Sequence, residues 1–224
     1  MGQLTAGIAH ELNNPMMGIL NYTQYCLKHT TEDDHRYTAL QDSLKELNRC
    51  IKIVKDLLAV SHKDSEEKEN HEKEDFNTIL ERVLKLLSYR IQEEHVDIKQ
   101  HISKELSKKI DIKTNTIQQV FLNLLSNALD ALHDSKKKEI NIDLHKEGKS
   151  VHMVIADTGC GIPQEKLHKI FEPFFTTKPI GKGTGLGLNI CKNIIKTHGG
   201  EISCESEVGK GTKFKIELPI ERIK

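Results

Sequence analysis

Asp157-Thr158-Gly159-Cys160-Gly161-Ile162 and Gly181-Lys182-Gly183-Thr184-Gly185-Leu186-Gly187-Leu188, with Phe171-Glu172-Pro173-Phe174-Phe175-Thr176-Thr177-Lys178 between them, are the most informative stretch of this 224-residue sequence. Glycine has no Cβ, so its backbone N–H can come close to an anion. A helix that starts on such a loop adds its positive dipole end. The stretch therefore reads as a nucleotide site. Asp157 follows the strand-like run Val151 to Ala156 and precedes a turn. A carboxylate there can accept from an exocyclic amine, as adenine offers, while Gly159 and Gly161 let the backbone pass the base. Such turns are also made of these residues without any ligand. Neither the P-loop nor the dinucleotide fingerprint fits. Gly148-Lys149-Ser150 ends like a P-loop, but Asp143 stands where the first Gly is required. Thr176, Thr177, Lys178, Lys182, Gly183, Thr184, Gly185, Leu186 and Gly187 read as a lid closing over phosphates, with Lys178 or Lys182 near the charge. An ordinary loop docked by phenylalanines is the plainer alternative. Thr212, after Gly211, is placed to add a hydrogen bond to the base.

Working outward, Ile117 to Leu132 is a strongly periodic helix. Its stripe takes Ile117, Phe121, Leu124, Leu125 and Ala128, and Asn123, Asn127 and Asp130 share the other side. Amides are poor helix formers, so two at this spacing need a reason. Oxygen ligation of Mg²⁺ by an amide, with hydrogen bonding to phosphates, is one; a plain polar face is the other. Phe76 to Arg90 and Leu186 to His198 are further helices, the second closed by Gly199-Gly200. Val96 to Ile102, Ile110 to Ile112, Ile140 to Leu144, Val151 to Ala156, Glu201 to Ser206 and Lys213 to Leu218 alternate as strands.

The N-terminal third is different. Residues 1 to about 30 form an amphipathic helix with the stripe Leu4, Ile8, Leu12, Met16 and Ile19. After the polar turn Thr30 to His35, a heptad seam runs through Tyr37, Leu40, Leu44, Leu47, Ile51, Val54 and Leu58. A lone helical hairpin has too little core, so pairing into a homodimeric four-helix bundle is expected. His10 points away from the stripe, with Asn14 on its face, Glu11 beside it and Pro15 expected to kink or loosen the helix beyond. A lone histidine on a bundle helix is more often a plain surface residue. A bound nucleotide would give it something to attack, with the carboxylate orienting the ring and taking its proton. His62 to Asp75 is almost wholly polar and marks a boundary, dividing the chain into 1–66 and 67–224.

Composition narrows the classes. Lys plus Arg number 33, as do Asp plus Glu, so charge gives no argument for nucleic acid or an anionic membrane. No apolar run reaches the ~20 residues of a membrane span. The five scattered cysteines form no C-x-x-C pair, which points to a reducing cytoplasm and away from zinc or a disulfide framework. Met1-Gly2 runs straight into helical periodicity without a secretory pattern, as in a fragment lacking upstream segments, so a cytoplasmic location is expected, with any membrane anchor in the full-length protein.

In this order and spacing the pieces resemble the catalytic core of a two-component sensor histidine kinase, closest in style to the nitrogen-regulation class. His10-Glu11-Leu12-Asn13-Asn14-Pro15 is similar to the phosphoacceptor box, Asn123 to Asp130 to the asparagine box, and Phe171 to Lys178 to the phenylalanine box. The two glycine segments match the two glycine boxes. The resemblance implies a dimeric helical domain followed by an α/β sandwich of the Bergerat ATP-binding type. It implies ATP-dependent phosphorylation of His10, with Glu11 as base, then transfer to an aspartate on a response-regulator receiver domain. By the same resemblance Asn127 holds Mg²⁺, Asp157 binds adenine, and Asn14 helps water remove the regulator's phosphate. Thr176 stands where many relatives place an Arg. A Bergerat-fold ATPase without phosphohistidine, or a nucleotide-binding docking scaffold, are the rival readings.

Overall fold

The computed structural model describes residues 2–61, 74–107, 114–178 and 183–219. The expected linker His62 to Asp75 lies almost wholly outside these residues, and the expected strand Ile110 to Ile112 lies outside them entirely. The chain divides into two compact units, residues 1–67 with 174–186, and residues 68–173 with 187–224.

The first unit contains a helical hairpin, α1 (Gly2–Lys28) and α2 (Arg36–Ser61). The helix α1 runs unbroken through Pro15. Its side chains are described from residue 12 on, apart from 13 and 14. The heptad seam of α2 behaves as its spacing predicts: Tyr37, Leu40, Leu44 and Leu47 are half-buried, and Ile51 and Val54 are buried. The stripe of α1 does not. Met16, Leu20, Thr23 and Leu27 are half-buried, but Leu12 and Ile19 are 45% and 54% exposed. One partner helix covers only a narrow strip, so part of a wide apolar face is left facing outward. The joining turn is pinned by Arg36, whose guanidinium donates to Asp34 at 2.6 Å.

The second unit is a two-layer α/β sandwich. Its strands are β1 (Asp97–Ile102), β2 (Glu139–Glu147), β3 (Ser150–Asp157), β4 (Glu201–Glu207) and β5 (Gly211–Pro219). They form one sheet in the order β1-β2-β3-β5-β4, with only the β1–β2 pair parallel. Its helices are α3 (Phe76–Glu93), α4 (Thr114–Leu132), the single turn α5 (Gln164–Leu167) and α6 (Gly187–Thr197). The start of α3 is set by Asp75, whose side chain accepts from the Thr78 N–H at 2.8 Å. The end of α6 is set by Gly199 at φ 74°, with the Gly200 N–H donating to the Ile195 carbonyl at 2.9 Å. The turn α5 was not anticipated; Gln164-Glu165-Lys166-Leu167 is too short for periodicity to show.

The core sits where α4 lies against the sheet. Phe121, Leu124, Leu125 and Leu129 of α4, Ile142 and Leu144 of β2, Met153 and Ile155 of β3, and Phe214 and Ile216 of β5 are all at most 5% exposed, and α4 packs against β3 and β5. Strand alternation places these residues on one face and the polar residues between them on the other. Because Phe121 is 1% exposed, Phe121→Ala should cost about 3–5 kcal/mol. The exposed Phe174→Ala should change stability by less than about 0.5 kcal/mol. Urea unfolding of the two variants at equal concentration measures the contrast.

Candidate functional site

Asp157 is the last residue of the central strand β3, on the face that carries the core. It pairs with Ile140 on one side and Thr212 on the other, and Thr212 pairs with Ser206. These four residues make a buried row across the end of the sheet. Asp157 Oδ1 accepts from the Gly159 N–H at 2.8 Å and the Thr212 N–H at 3.3 Å. Both of these bonds fall on Oδ1, which leaves Oδ2 for a ligand's donor. Burial pushes the carboxyl above its ordinary range, and the two backbone amides only partly offset this. The carboxylate is held in place by backbone rather than by a counter-charge.

The turn after Asp157 is locked from three sides. Thr158 Oγ1 donates to the Lys137 carbonyl at 2.7 Å, and the Thr158 N–H donates to Glu139 at 3.1 Å. The Cys160 N–H donates to the Ala131 carbonyl at 3.1 Å. Gly161 has φ 73°, and a Cβ there would sit 2.1 Å from the Glu207 carbonyl oxygen. At Gly159 a Cβ would meet Ala131 at 2.7 Å, so the segment lies tight against α4. Ser206 completes the lock and was not foreseen. Its hydroxyl donates to the Gly211 carbonyl at 2.8 Å, accepts from the Ile162 N–H at 2.8 Å, and meets Thr212 Oγ1 at 2.9 Å. The two ends of this lock are more than forty residues apart in sequence, and no local pattern announces such a bond.

On α4, Asn123 and Asn127 are half-buried on one strip. Asn123 Nδ2 donates to the carbonyl of Gly187 at 3.2 Å, so the first residue of α6 is tied to the amide face. A Cβ on Gly187 would come within 3.6 Å of the Asn123 side chain. The amide strip and the N-terminal end of α6 thus stand together. Asp130 is exposed and receives the Arg90 guanidinium of α3 at 2.7 Å. Cys191 and Cys204 both have thiols pushed up to about 12, chiefly by burial and, at Cys204, also by the charge of Asp157. They are not nucleophiles at neutral pH.

Residues 174–186 belong to the first unit. Their two described ends touch: a Cβ on Gly185, at φ 68°, would be 2.4 Å from the Phe174 carbonyl carbon. The Lys178 N–H donates to Thr176 Oγ1 at 3.1 Å, and the Leu186 N–H to Thr184 Oγ1 at 3.4 Å. Gly183 lies against Thr176 and Lys178, Thr177 is exposed, and Gly181 and Lys182 lie outside the described residues. Just before the segment, Phe171 stacks edge-on against Phe214 at 6.5 Å and its carbonyl accepts from Asn189 at 2.9 Å. His10, Glu11 and Asn14 are residues of α1, and their side chains lie outside the described residues.

The family model of the His Kinase A (phospho-acceptor) domain matches residues 1–66. That of the histidine kinase-, DNA gyrase B-, and HSP90-like ATPases matches residues 112–222. The chain is 37% identical over 233 residues to the sensor kinase CckA of Brucella abortus, covering 98% of this chain and 24% of CckA. It is 37% identical over 220 residues to sporulation kinase A of Bacillus subtilis, covering 97% of this chain and 34% of that kinase. The catalytic domain of histidine kinase ThkA superposes with a TM-score of 0.57 at 32% identity, covering 65% of this chain and 93% of that domain. ThkA in complex with the response regulator protein TrrA gives a TM-score of 0.65 at 29% identity, over 98% of this chain and 62% of that one. The chain thus spans about a quarter to a third of those two curated relatives. Both halves of the sequence, and the sheet, helices and locked glycine turn between which Asp157 sits, make this chain a member of the histidine kinase family.

Proposed function

We propose that the second unit binds ATP and that the chain transfers its γ-phosphoryl group to His10, and from there to an aspartate of a response-regulator receiver domain. The observation that carries the reading is Asp157, a buried carboxylate with one oxygen held by two backbone amides and the other left for a donor. That is an arrangement for an exocyclic amine at a base edge. Gly159 and Gly161 border it, and Thr212 flanks it on β5. The phosphates would run toward Asn123, Asn127 and the N-terminal end of α6, where backbone N–H groups and the helix dipole favour anions. Thr176, Thr177, Lys178, Lys182, Gly183, Thr184, Gly185 and Leu186 would close over them, with Asp130 on the rim.

The donors on α4 suit Mg²⁺, because amide oxygen is a hard ligand and Mg²⁺ keeps most of its coordination for water and phosphate. Asn127 would hold it, and the ion would offset phosphate charge. An imidazole nitrogen of His10 then attacks the γ-phosphorus in line, the N–P bond forms as the bond to ADP breaks, and Glu11 takes the ring proton. Asn14 would position water in the reverse, phosphatase direction. A division into 1–66 and 67–224 would put acceptor and donor on separate stretches of the chain, with 174–186 grouped in the first unit. Leu12 and Ile19, left exposed by the hairpin, would be covered by the second copy in a homodimeric four-helix bundle.

Incubation with γ-labelled ATP should give acid-labile, base-stable label on the chain, and His10→Ala should remove it. Label that survives this substitution would reject the acceptor. Release of inorganic phosphate with no labelled protein would favour the plain ATPase reading.

Asp157→Asn should lower ATP affinity about 10- to 100-fold by removing a charged hydrogen bond. The sign for stability is opposite. A carboxyl raised by burial favours folding below the ordinary carboxylate range and loses that contribution as pH rises through its raised value. At pH 7 the ligand-free variant, whose amide oxygen still accepts from Gly159 and Thr212, should unfold at an equal or higher urea midpoint. Weaker ATP binding together with a lower midpoint would make Asp157 a structural residue only. Isothermal titration and urea melts on one preparation decide it, and Asn127→Ala should weaken binding only when Mg²⁺ is present.

Leu12→Asp with Ile19→Asp should turn a dimer into a monomer in sedimentation at micromolar concentration. A wild-type chain that sediments as a monomer would sink the bundle.

A further inference from the structure

We propose that His145, His152 and Glu147 form a site for a divalent transition-metal ion, with Zn²⁺ the best fit, on the sheet face opposite the nucleotide row. The strands β2 and β3 form a hairpin turning at Gly148, whose φ is 59°. Their register sets His145 directly opposite His152. Glu147 lies two residues beyond His145, hence on the same face. Along β3 the alternation puts His152 on the side away from Val151, Met153 and Asp157. One ligand atom from each of the three side chains lies within 4.8 Å of the others. The two imidazole rings lie nearly parallel, 10° apart, with centroids at 5.4 Å.

The atoms around His145 prepare it for a metal. Asp143 Oδ1 lies 2.6 Å from His145 Nδ1, which places the proton on that nitrogen and leaves the Nε2 lone pair for an ion. A carboxylate behind the ligating imidazole fixes the ring and raises its basicity. Glu147 Oε2 stands 3.7 Å from His152 Nε2, so the carboxylate and second imidazole already converge. Drawing the donors to the edge of a zinc tetrahedron, about 3.3 Å for bonds near 2.0 Å, needs side-chain movement only, because the register fixes the backbone. Two imidazoles and one carboxylate suit Zn²⁺, Cu²⁺ or Ni²⁺ better than Mg²⁺ or Ca²⁺. Three protein ligands leave an open position for water. A shallow cleft of about 450 Å³ beside the site is lined by His101, Asp143 and His145, and Glu147 is itself exposed. An exposed histidine–glutamate pair alone would hold nothing and contribute little. The opposed second imidazole and the Asp143 contact are what that plain explanation leaves out.

Titration of the whole chain with ZnCl₂, followed by calorimetry, tests the site. Wild type should take up Zn²⁺ stoichiometrically, and the double variant His145→Ala, His152→Ala should lose that uptake. ATP binding should persist in the variant, since the site faces away from Asp157. Asp143→Asn should keep the stoichiometry and weaken affinity about 10- to 100-fold. Co²⁺ in place of Zn²⁺ should give the visible absorption of a nitrogen–oxygen tetrahedral site. Equal Zn²⁺ uptake by wild type and double variant would place the metal elsewhere, on the thiols for instance, and overturn the proposal. So would wild type that binds no Zn²⁺ at micromolar concentration, or Asp143→Asn with unchanged affinity.

Discussion

The end of the sheet in the second unit is organised around one buried side-chain oxygen, Asp157 Oδ1, which accepts two backbone N–H groups. Asp157 is desolvated at the end of the central strand, and an ionised group there is costly unless its oxygens are satisfied. Two backbone amides, from Gly159 and Thr212, meet one oxygen. Both donors need the chain close by, and only glycine leaves that room: at Gly211 a Cβ would lie 1.9 Å from the Asp157 carbonyl oxygen. The hydroxyls of Thr158 and Ser206 then fix the turn to β2 and β5. The residues that border Asp157 are therefore the same ones that close the end of the sheet, and its second oxygen is what remains for a ligand.

The first unit is constrained by the opposite problem, too much apolar surface. Among the described residues its second helix buries one narrow seam that includes Ile51 and Val54, and the first helix is left with Leu12, Met17 and Ile19 outward. A helix of this width is satisfied only inside a bundle. In the function proposed above, each unit alone would be half of a device, one holding the phosphoryl donor and the other carrying the acceptor histidine.

Strand alternation lets the sheet serve two purposes. One face of β3 supplies core residues and Asp157, and the other supplies His152 beside the row Asp143, His145 and Glu147. Substitutions on the outward row can change there without disturbing the packed face, because neighbouring side chains point to opposite sides.

The helices and strands were legible wherever a period of 3.6 or 2 ran long enough, as in residues 117–132 and 151–156. The position of Asp157 at the end of a strand and the start of a glycine turn was legible too, although such turns also form without a ligand. The amide strip of Asn123 and Asn127 stood out against a greasy helix for the same reason. Ser206, the Arg90–Asp130 pair and the Asn123–Gly187 bond were not legible, since each joins residues far apart in sequence. The stripe of the first helix was misdirected at Leu12 and Ile19: periodicity says that a face is apolar, but not which part a single neighbour covers. Local spacing and motif order alone therefore determined the longer elements and the family. The tertiary structure decided which donors reach Asp157 and which histidines face each other, because both depend on register and on backbone approach between distant segments.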